Sequence, residues 1–260
     1  MPDATALLAA YDDGLRGESE AIGAQQRFRI GPLWVGVFAG GRGFISYRDL
    51  GSLGPKGLRA LVAVALAIIA ADPSVSEIEW KTRGHDRAEG LHEALVGAGF
   101  EPQEPESIML GAAELLAVDL PLPEGVVLRS VSDEAGLRRA AAAADRLFGE
   151  EPSEHRTEDL LDRVRRGAEM WIAEADGAIV STGRLEPVPG TVFAGIWGGA
   201  TDPAWRRRGI YRALTAARAR SAVERGARFL NSDSTEYSRP ILERSGFTKV
   251  STTTPYEWHR

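Results

Sequence analysis

The 260-residue chain contains no cysteine. That excludes a disulfide framework, thiolate metal ligation and a cysteine acyl-enzyme. Histidine is scarce: His85, His92, His155 and His259 lie far apart and show no metal-ligand spacing, so no metal is expected. Long apolar runs are missing too. The most apolar, Leu58 to Ala71, includes Arg59 and falls short of the ~20 residues of a membrane span. Met1 to Ala4 carries neither a basic n-region nor an apolar core. A soluble, cytoplasmic protein without membrane contact is expected. With a net charge of −6, the chain is not basic enough to suggest a nucleic-acid partner.

What is present is unevenly placed. Up to Gly125 there are 10 Lys+Arg against 18 Asp+Glu; from Val126 onward there are 21 against 19. The second half is thus the more basic, and it holds the stretch Ala200-Thr201-Asp202-Pro203-Ala204-Trp205-Arg206-Arg207-Arg208-Gly209-Ile210-Tyr211-Arg212. An apolar, glycine-rich run (Val192 to Gly199) precedes it and an alanine-rich helical stretch follows. The pattern reads as strand, turn and helix N-terminus. Backbone N–H groups at the positive end of a helix, flanked by arginines, make an anion site.

This stretch resembles motif A of the GNAT (acetyl-CoA-dependent N-acetyltransferase) superfamily, whose pyrophosphate loop reads Gln/Arg-x-x-Gly-x-Gly/Ala. Arg206, Gly209 and Tyr211 occupy the three defined positions, with Tyr211 where a small residue is usual. Ser238 to Phe247 (Ser-Arg-Pro-Ile-Leu-Glu-Arg-Ser-Gly-Phe) is similar to the short helix and Gly-Phe turn that close the GNAT core. The resemblance implies an α/β (α+β) fold of two tandem GNAT-like domains, each a mixed, mostly antiparallel sheet flanked by helices.

The rest of the chain is read around that expectation. A helix is predicted from Ala4 to about Arg16, then a hairpin of Leu33–Phe38 and Gly43–Tyr47. Pro55 opens a helix to about Ala71, apolar nearly all round and so expected to pack on a sheet. Val75 to Lys81 alternates like a half-exposed strand, Ala88 to Val96 reads as a helix, and Glu106 to Leu110 as a strand. Leu95-Val96-Gly97-Ala98-Gly99-Phe100 parallels Leu242-Glu243-Arg244-Ser245-Gly246-Phe247. Residues 1–112 are therefore expected to be a degenerate GNAT-like domain, with an unrelated α/β cap domain as the alternative. Its loop equivalent, Gly51 to Gly57, lacks Arg-x-x-Gly, and Pro55 removes an N–H donor. Residues 113–125, with Pro121, Pro123 and Gly125, read as a linker. Residues 126–260 form the expected acetyl-CoA-binding domain. Within it come a Val126–Arg129 strand, a helix capped at Ser132-Asp133, another opening at Thr157, and a hairpin through Asp176-Gly177. An Arg228–Asn231 strand then precedes the short helix, and Thr248 to Trp258 closes the sheet.

The resemblance implies acetyl-CoA as cosubstrate, with Arg206, Arg207, Arg208, Gly209, Ile210, Tyr211 and Arg212 at its pyrophosphate. Its pantetheine would run between the Val192–Thr201 and Arg228–Asn231 strands, which splay apart in the fold. Ala200 and Thr201 would supply backbone groups there, and Gly198-Gly199 suit a bulge that starts the splay. Asp233 either accepts the proton of the attacking amine or caps a turn. In many GNAT enzymes a tyrosine four residues before the Gly of Gly-Phe protonates the thiolate; Leu242 stands there. Tyr237, with an unperturbed pKa of ~10, and Ser238, one turn upstream, are the replacement donors, beside water. The acceptor expected is a small-molecule amine and the state a monomer or homodimer. A non-catalytic acyl-CoA-binding or regulatory module is the alternative function.

Overall fold

A computed structural model describes residues 3–260. They divide into two compact units. One comprises Asp3–Ile108, Asp233–Glu236 and Lys249–Arg260; the other comprises Met109–Ser232 and Tyr237–Thr248.

The first unit begins with α1 (Ala4–Gly14), capped by the Asp3 carboxylate on the Ala6 N–H, and a 3₁₀ turn at Glu18–Ala21. Three strands follow: β1 (Gln26–Ile30), β2 (Leu33–Phe38) and β3 (Arg42–Tyr47). Next come α2 (Pro55–Ala70), β4 (Glu77–Arg83), α3 (Leu91–Gly97), β5 (Glu101–Pro102) and β6 (Glu106–Ala112). The β2–β3 hairpin lies where the sequence put it; β1 was not foreseen, because its Arg27 and Arg29 leave little apolar pattern to read. Helix α2 does not bury itself all round. Leu58, Val62, Ala65 and Ile69, spaced by three or four residues, face the core, while Val64 and Ile68 remain about half exposed. Burying an aliphatic side chain of this size contributes about 1.5–3 kcal/mol, so the single buried stripe suffices to dock the helix.

The unit's last strand comes from the far end of the chain. β12 (Thr248–His259) runs antiparallel to β4 from Thr253↔Arg83 to His259↔Glu77, and β5 pairs with it through Pro102 and Glu101. The order is β1-β2-β3-β4-β12, with β3 and β4 parallel and the rest antiparallel. Trp80, fully buried, packs edge-on against Phe100 in this core.

From Met109, within β6, the second unit continues into a short helix, α4 (Ala113–Leu116), whose Ala113 and Leu116 are buried, within the stretch expected as linker. Then follow β7 (Val126–Val131), α5 (Glu134–Phe148), α6 (Glu154–Arg165), β8 (Glu169–Ala175), β9 (Ala178–Pro187) and β10 (Phe193–Thr201). Asp133 caps α5 as expected; α6 starts earlier than read, with Ser153 as its cap. The β8–β9 turn places Asp176 and Gly177 at φ 50° and 77°, both left-handed as a type I′ turn requires. After α7 (Ile210–Glu224), β11 (Phe229–Ser234) and α8 (Arg239–Ser245) complete the set. Strand order is β11-β10-β9-β8-β7, parallel only between β10 and β11. Helix α7 buries Ala213, Ala216, Ala217, Ala219 and Ala222, small residues that let it lie close to the sheet. Each unit is thus a mixed, mostly antiparallel sheet flanked by helices.

Candidate functional site

Strand β10 carries the site's first feature. It pairs with β11 only through Phe193↔Phe229, Ala194↔Leu230 and Gly195↔Asn231. Beyond Gly195 it continues to Thr201 paired with β9 on its other side, so the edge towards β11 opens. The β9 register slips between Trp197 and Ala200, and Gly198 sits at φ 59°, a bulge at the glycine pair that the sequence singled out. Space here is tight: a Cβ on Gly199 would lie 2.8 Å from the Tyr211 ring. At the last paired position, Asn231 keeps its side-chain Oδ1 buried without a hydrogen-bond partner. Such an orphan costs about 1–3 kcal/mol unless something donates to it.

The strand then leads into a charged turn. Asp202 caps a 3₁₀ turn at Pro203–Trp205 by accepting from the Ala204 N–H. Arg207 takes φ 63°, a conformation costing a non-glycine residue roughly 1–2 kcal/mol. Gly209, at φ 85°, is the N-cap of α7 and has no side chain to cap it. The first helical bond runs from the Ala213 N–H to the Gly209 carbonyl, leaving the N–H groups of Ile210, Tyr211 and Arg212 without an intrahelical acceptor. Arg206, Arg207, Arg208, Gly209 and Arg212 are exposed. Among the described residues, none of these four arginines pairs with a carboxylate. Arg206 Nε donates to the Thr201 carbonyl at 3.0 Å, and Arg208 stacks over Trp205 at 4.8 Å. A Cβ built on Gly209 meets nothing within 4 Å, so a ligand can approach its backbone. Anion-seeking donors, unspent cations, an open strand edge and an orphaned acceptor together fit a long ligand with phosphates at one end and amides at the other.

Behind the turn, Ser181 Oγ donates to the Ala200 carbonyl at 2.6 Å and lies 2.8 Å from Thr201 Oγ1. These bonds fix the end of β10, where Ala200 and Thr201 pair with Thr182 and Ser181 of β9. Tyr211 is half-buried against Gly199. Arg218 is fully buried with no carboxylate partner; it donates to the Arg184 carbonyl at 3.1 Å, and burial pushes it down to about 10. Nothing in the sequence marked Arg218, since alanine-rich amphipathic helices carry arginines routinely.

The remaining candidates are placed as follows. Tyr237 is 93% exposed, and Ser238 is the α8 N-cap residue but makes no side-chain capping bond. Leu242 is buried in the apolar core, as a hydrocarbon side chain should be. Asp233 does not follow its strand; it lies within β11 and belongs to the first unit. There it meets a partner that the sequence did not signal. Lys81 Nζ forms an ion pair with its carboxylate and lies 4.0 Å from Glu20, while Arg83 pairs with Glu20 and donates to Tyr11 Oη at 3.3 Å. Burial alone would lower Lys81; the charge of Asp233, with Tyr11 and Glu20, outweighs it and holds Lys81 above its ordinary value. Glu79 and Glu106 are pushed upward, each first by burial, and Glu106 next by the charge of Asp233. Among the described residues no group of His, Cys, Asp or Glu has the arrangement of a metal site. No helix there is long and apolar enough to cross a membrane.

Residues 137–247 match the model of the Acetyltransferase (GNAT) family. A comparison with curated proteins finds no match. Among solved structures, a GCN5-related N-acetyltransferase from Kribbella flavida is similar over 99% of this chain and 96% of its own, with TM-score 0.72 and 17% identity. A GCN5-related N-acetyltransferase from Sphaerobacter thermophilus gives TM-score 0.65 at 17% identity, covering 88% of this chain and 76% of its own. A tandem GNAT protein from the clavulanic acid biosynthesis pathway gives 0.63 at 15%, covering 87% and 78%. At these identities the likeness establishes the fold.

Proposed function

Because residues 137–247 match the model of the Acetyltransferase (GNAT) family, we propose that this chain moves an acetyl group from acetyl-CoA directly to a primary amine of a small-molecule acceptor. The observation that carries this reading is the uncapped, arginine-flanked N-terminus of α7 at the end of a strand whose edge opens after Gly195. Acetyl-CoA supplies an activated thioester. The chain's own residues bind and orient it. N–H groups of Ile210, Tyr211 and Arg212 meet the phosphates, Gly209 lets them approach, and Arg206, Arg207, Arg208 and Arg212 add charge from the sides. Ala200 and Thr201 would supply backbone groups to the amide arm and to the thioester oxygen, while Asn231 Oδ1 accepts an N–H.

The proton steps fall to three groups. Asp233, paired with Lys81, accepts the amine proton directly or through water. Tyr237 or Ser238 returns a proton to the departing thiolate. Residues 1–112 are the degenerate GNAT-like half, joined through 113–125 to the donor-binding half, 126–260. Pro55 at the first turn of α2 speaks for a first half that binds no CoA. The assembly is a monomer or homodimer, with no nucleic-acid partner. A second reading, a non-catalytic acyl-CoA-binding module, draws on the buried Leu242 at the family's usual tyrosine position.

Calorimetric titration with acetyl-CoA should find one site per chain, lost in Arg208→Glu/Gly209→Pro. Two sites, or full binding by that variant, would overturn the loop assignment. A thiol-release assay over an amine panel separates the two readings: stabilisation by CoA with no thiol release from any amine supports the binding module.

A further inference from the structure

A second constellation in the first unit is independent of the CoA loop. His85 Nδ1 lies 2.7 Å from Ser251 Oγ, and His85 Nε2 lies 3.1 Å from Asp12 Oδ1. Arg16 Nη1 also lies 3.3 Å from Nε2; in the tautomer that donates from Nε2 to the Asp12 carboxylate, Nδ1 presents its lone pair to the serine hydroxyl. The other acceptor of Ser251, the Thr252 carbonyl, is longer at 3.5 Å. We propose that Ser251, His85 and Asp12 form a nucleophile–base–orienter triad that reacts with activated acyl carbonyls, a site separate from amine acetylation.

The surroundings support a base at His85. Arg16, buried to 3% side-chain exposure, lies 3.1 Å from Asp12 and 2.8 Å from Asp86, and also donates to the Tyr47 carbonyl. One cation thus binds two carboxylates, which holds the Asp12 carboxylate where it orients the imidazole. The backbone holds the three groups from separate elements: Asp12 on α1, His85 in the turn closed by Asp86 N–H to the Arg83 carbonyl, and Ser251 on β12. Gly84 is what allows the approach. Its N–H donates to the Thr252 carbonyl at 2.9 Å, and a Cβ there would stand 2.3 Å from Thr252 Oγ1. Ser251, His85 and Asp12 are each half-buried, reachable from solvent yet held.

In the step, Ser251 Oγ bonds to the acyl carbon as its proton passes to His85 Nδ1. The ester or thioester bond breaks, and the imidazolium proton goes to the departing alkoxide or thiolate. Water then attacks the acyl-serine, giving its proton to His85 and releasing the carboxylic acid with Ser251 restored.

The test uses the full chain and a fluorophosphonate probe, with adducts located by peptide mass spectrometry. One adduct per chain at Ser251 is expected, absent in Ser251→Ala and at least tenfold slower in His85→Ala and Asp12→Asn. Ser251→Ala removes one hydroxyl and serves if the histidine variant fails to fold; p-nitrophenyl acetate hydrolysis should fall at least tenfold in it. No adduct at Ser251 in folded protein, or equal hydrolysis by wild type and Ser251→Ala, overturns the proposal.

Discussion

Replacing Lys81 by Met tests how the charges buried around Asp233 balance. Lys81 is 16% exposed, Asp233 9%, Glu20 12% and Arg83 0%. As found, two cations face two carboxylates. The substitution leaves net −1 in a site largely closed to water. At the 4.0 Å separation of Lys81 and Glu20, an effective dielectric of about 20 gives about 4 kcal/mol for one pair. Removing one partner of a buried pair costs about 3–5 kcal/mol, because the other is left uncompensated. Lys81→Met should therefore lose about 3–5 kcal/mol in urea unfolding followed by tryptophan fluorescence and circular dichroism. Lys81→Met/Asp233→Leu, which restores neutrality, should lose less than the single variant, with a coupling of at least ~2 kcal/mol. Because the sites are shielded, 0.5 M NaCl should leave that coupling largely intact. A Lys81→Met cost under ~1 kcal/mol, the range of exposed pairs, with no coupling would refute the reasoning.

Three further outcomes follow from the same structure. Residues 1–120 expressed alone lack β12, which pairs with β4 over seven residues and brings Tyr256 and Trp258 to the first unit's core; the fragment should be insoluble or bind ANS, and a cooperative melt would count against this. Glu106→Gln should raise the urea midpoint at pH 7 but hardly change it near pH 4. Its folded-state pKa lies above the ordinary 4.5, so its stabilising contribution is complete below that value and is lost as pH rises through the folded one; equal midpoint shifts at both pH values would contradict the assignment. Once an acceptor is found, Tyr237→Phe or Ser238→Ala should lower kcat by about tenfold or more across several pH values. If neither does, water protonates the thiolate.

Local chemistry made much of the second half legible. Asp176-Gly177 specifies its turn because both residues tolerate a positive φ, and Asp133 caps α5 because a short carboxylate reaches the Gly136 N–H. Gly198-Gly199 gave the bulge, and Arg-x-x-Gly with its flanks gave the turn before α7. Each is a contact between neighbours in the chain, so the residues that make it are adjacent in the text as well. The same holds for the β2–β3 hairpin and for the start of α2 at Pro55.

Other features depend on residues far apart. Lys81 meets Asp233 across 152 positions, and His85 meets Ser251 across 166. No spacing rule connects such pairs; strand register brings them together, and burial then sets which charges must be matched. The sequence placed Asp233 after its strand, yet β11 runs through it because pairing partners, not propensity, decide where a strand stops. The sequence by itself determined the caps, turns, helices and anion-seeking loop, whose causes are local. Only the tertiary structure decided that β12 completes the first unit's sheet and that Lys81 sits on Asp233, because those choices rest on hydrogen-bond register and desolvation between distant segments.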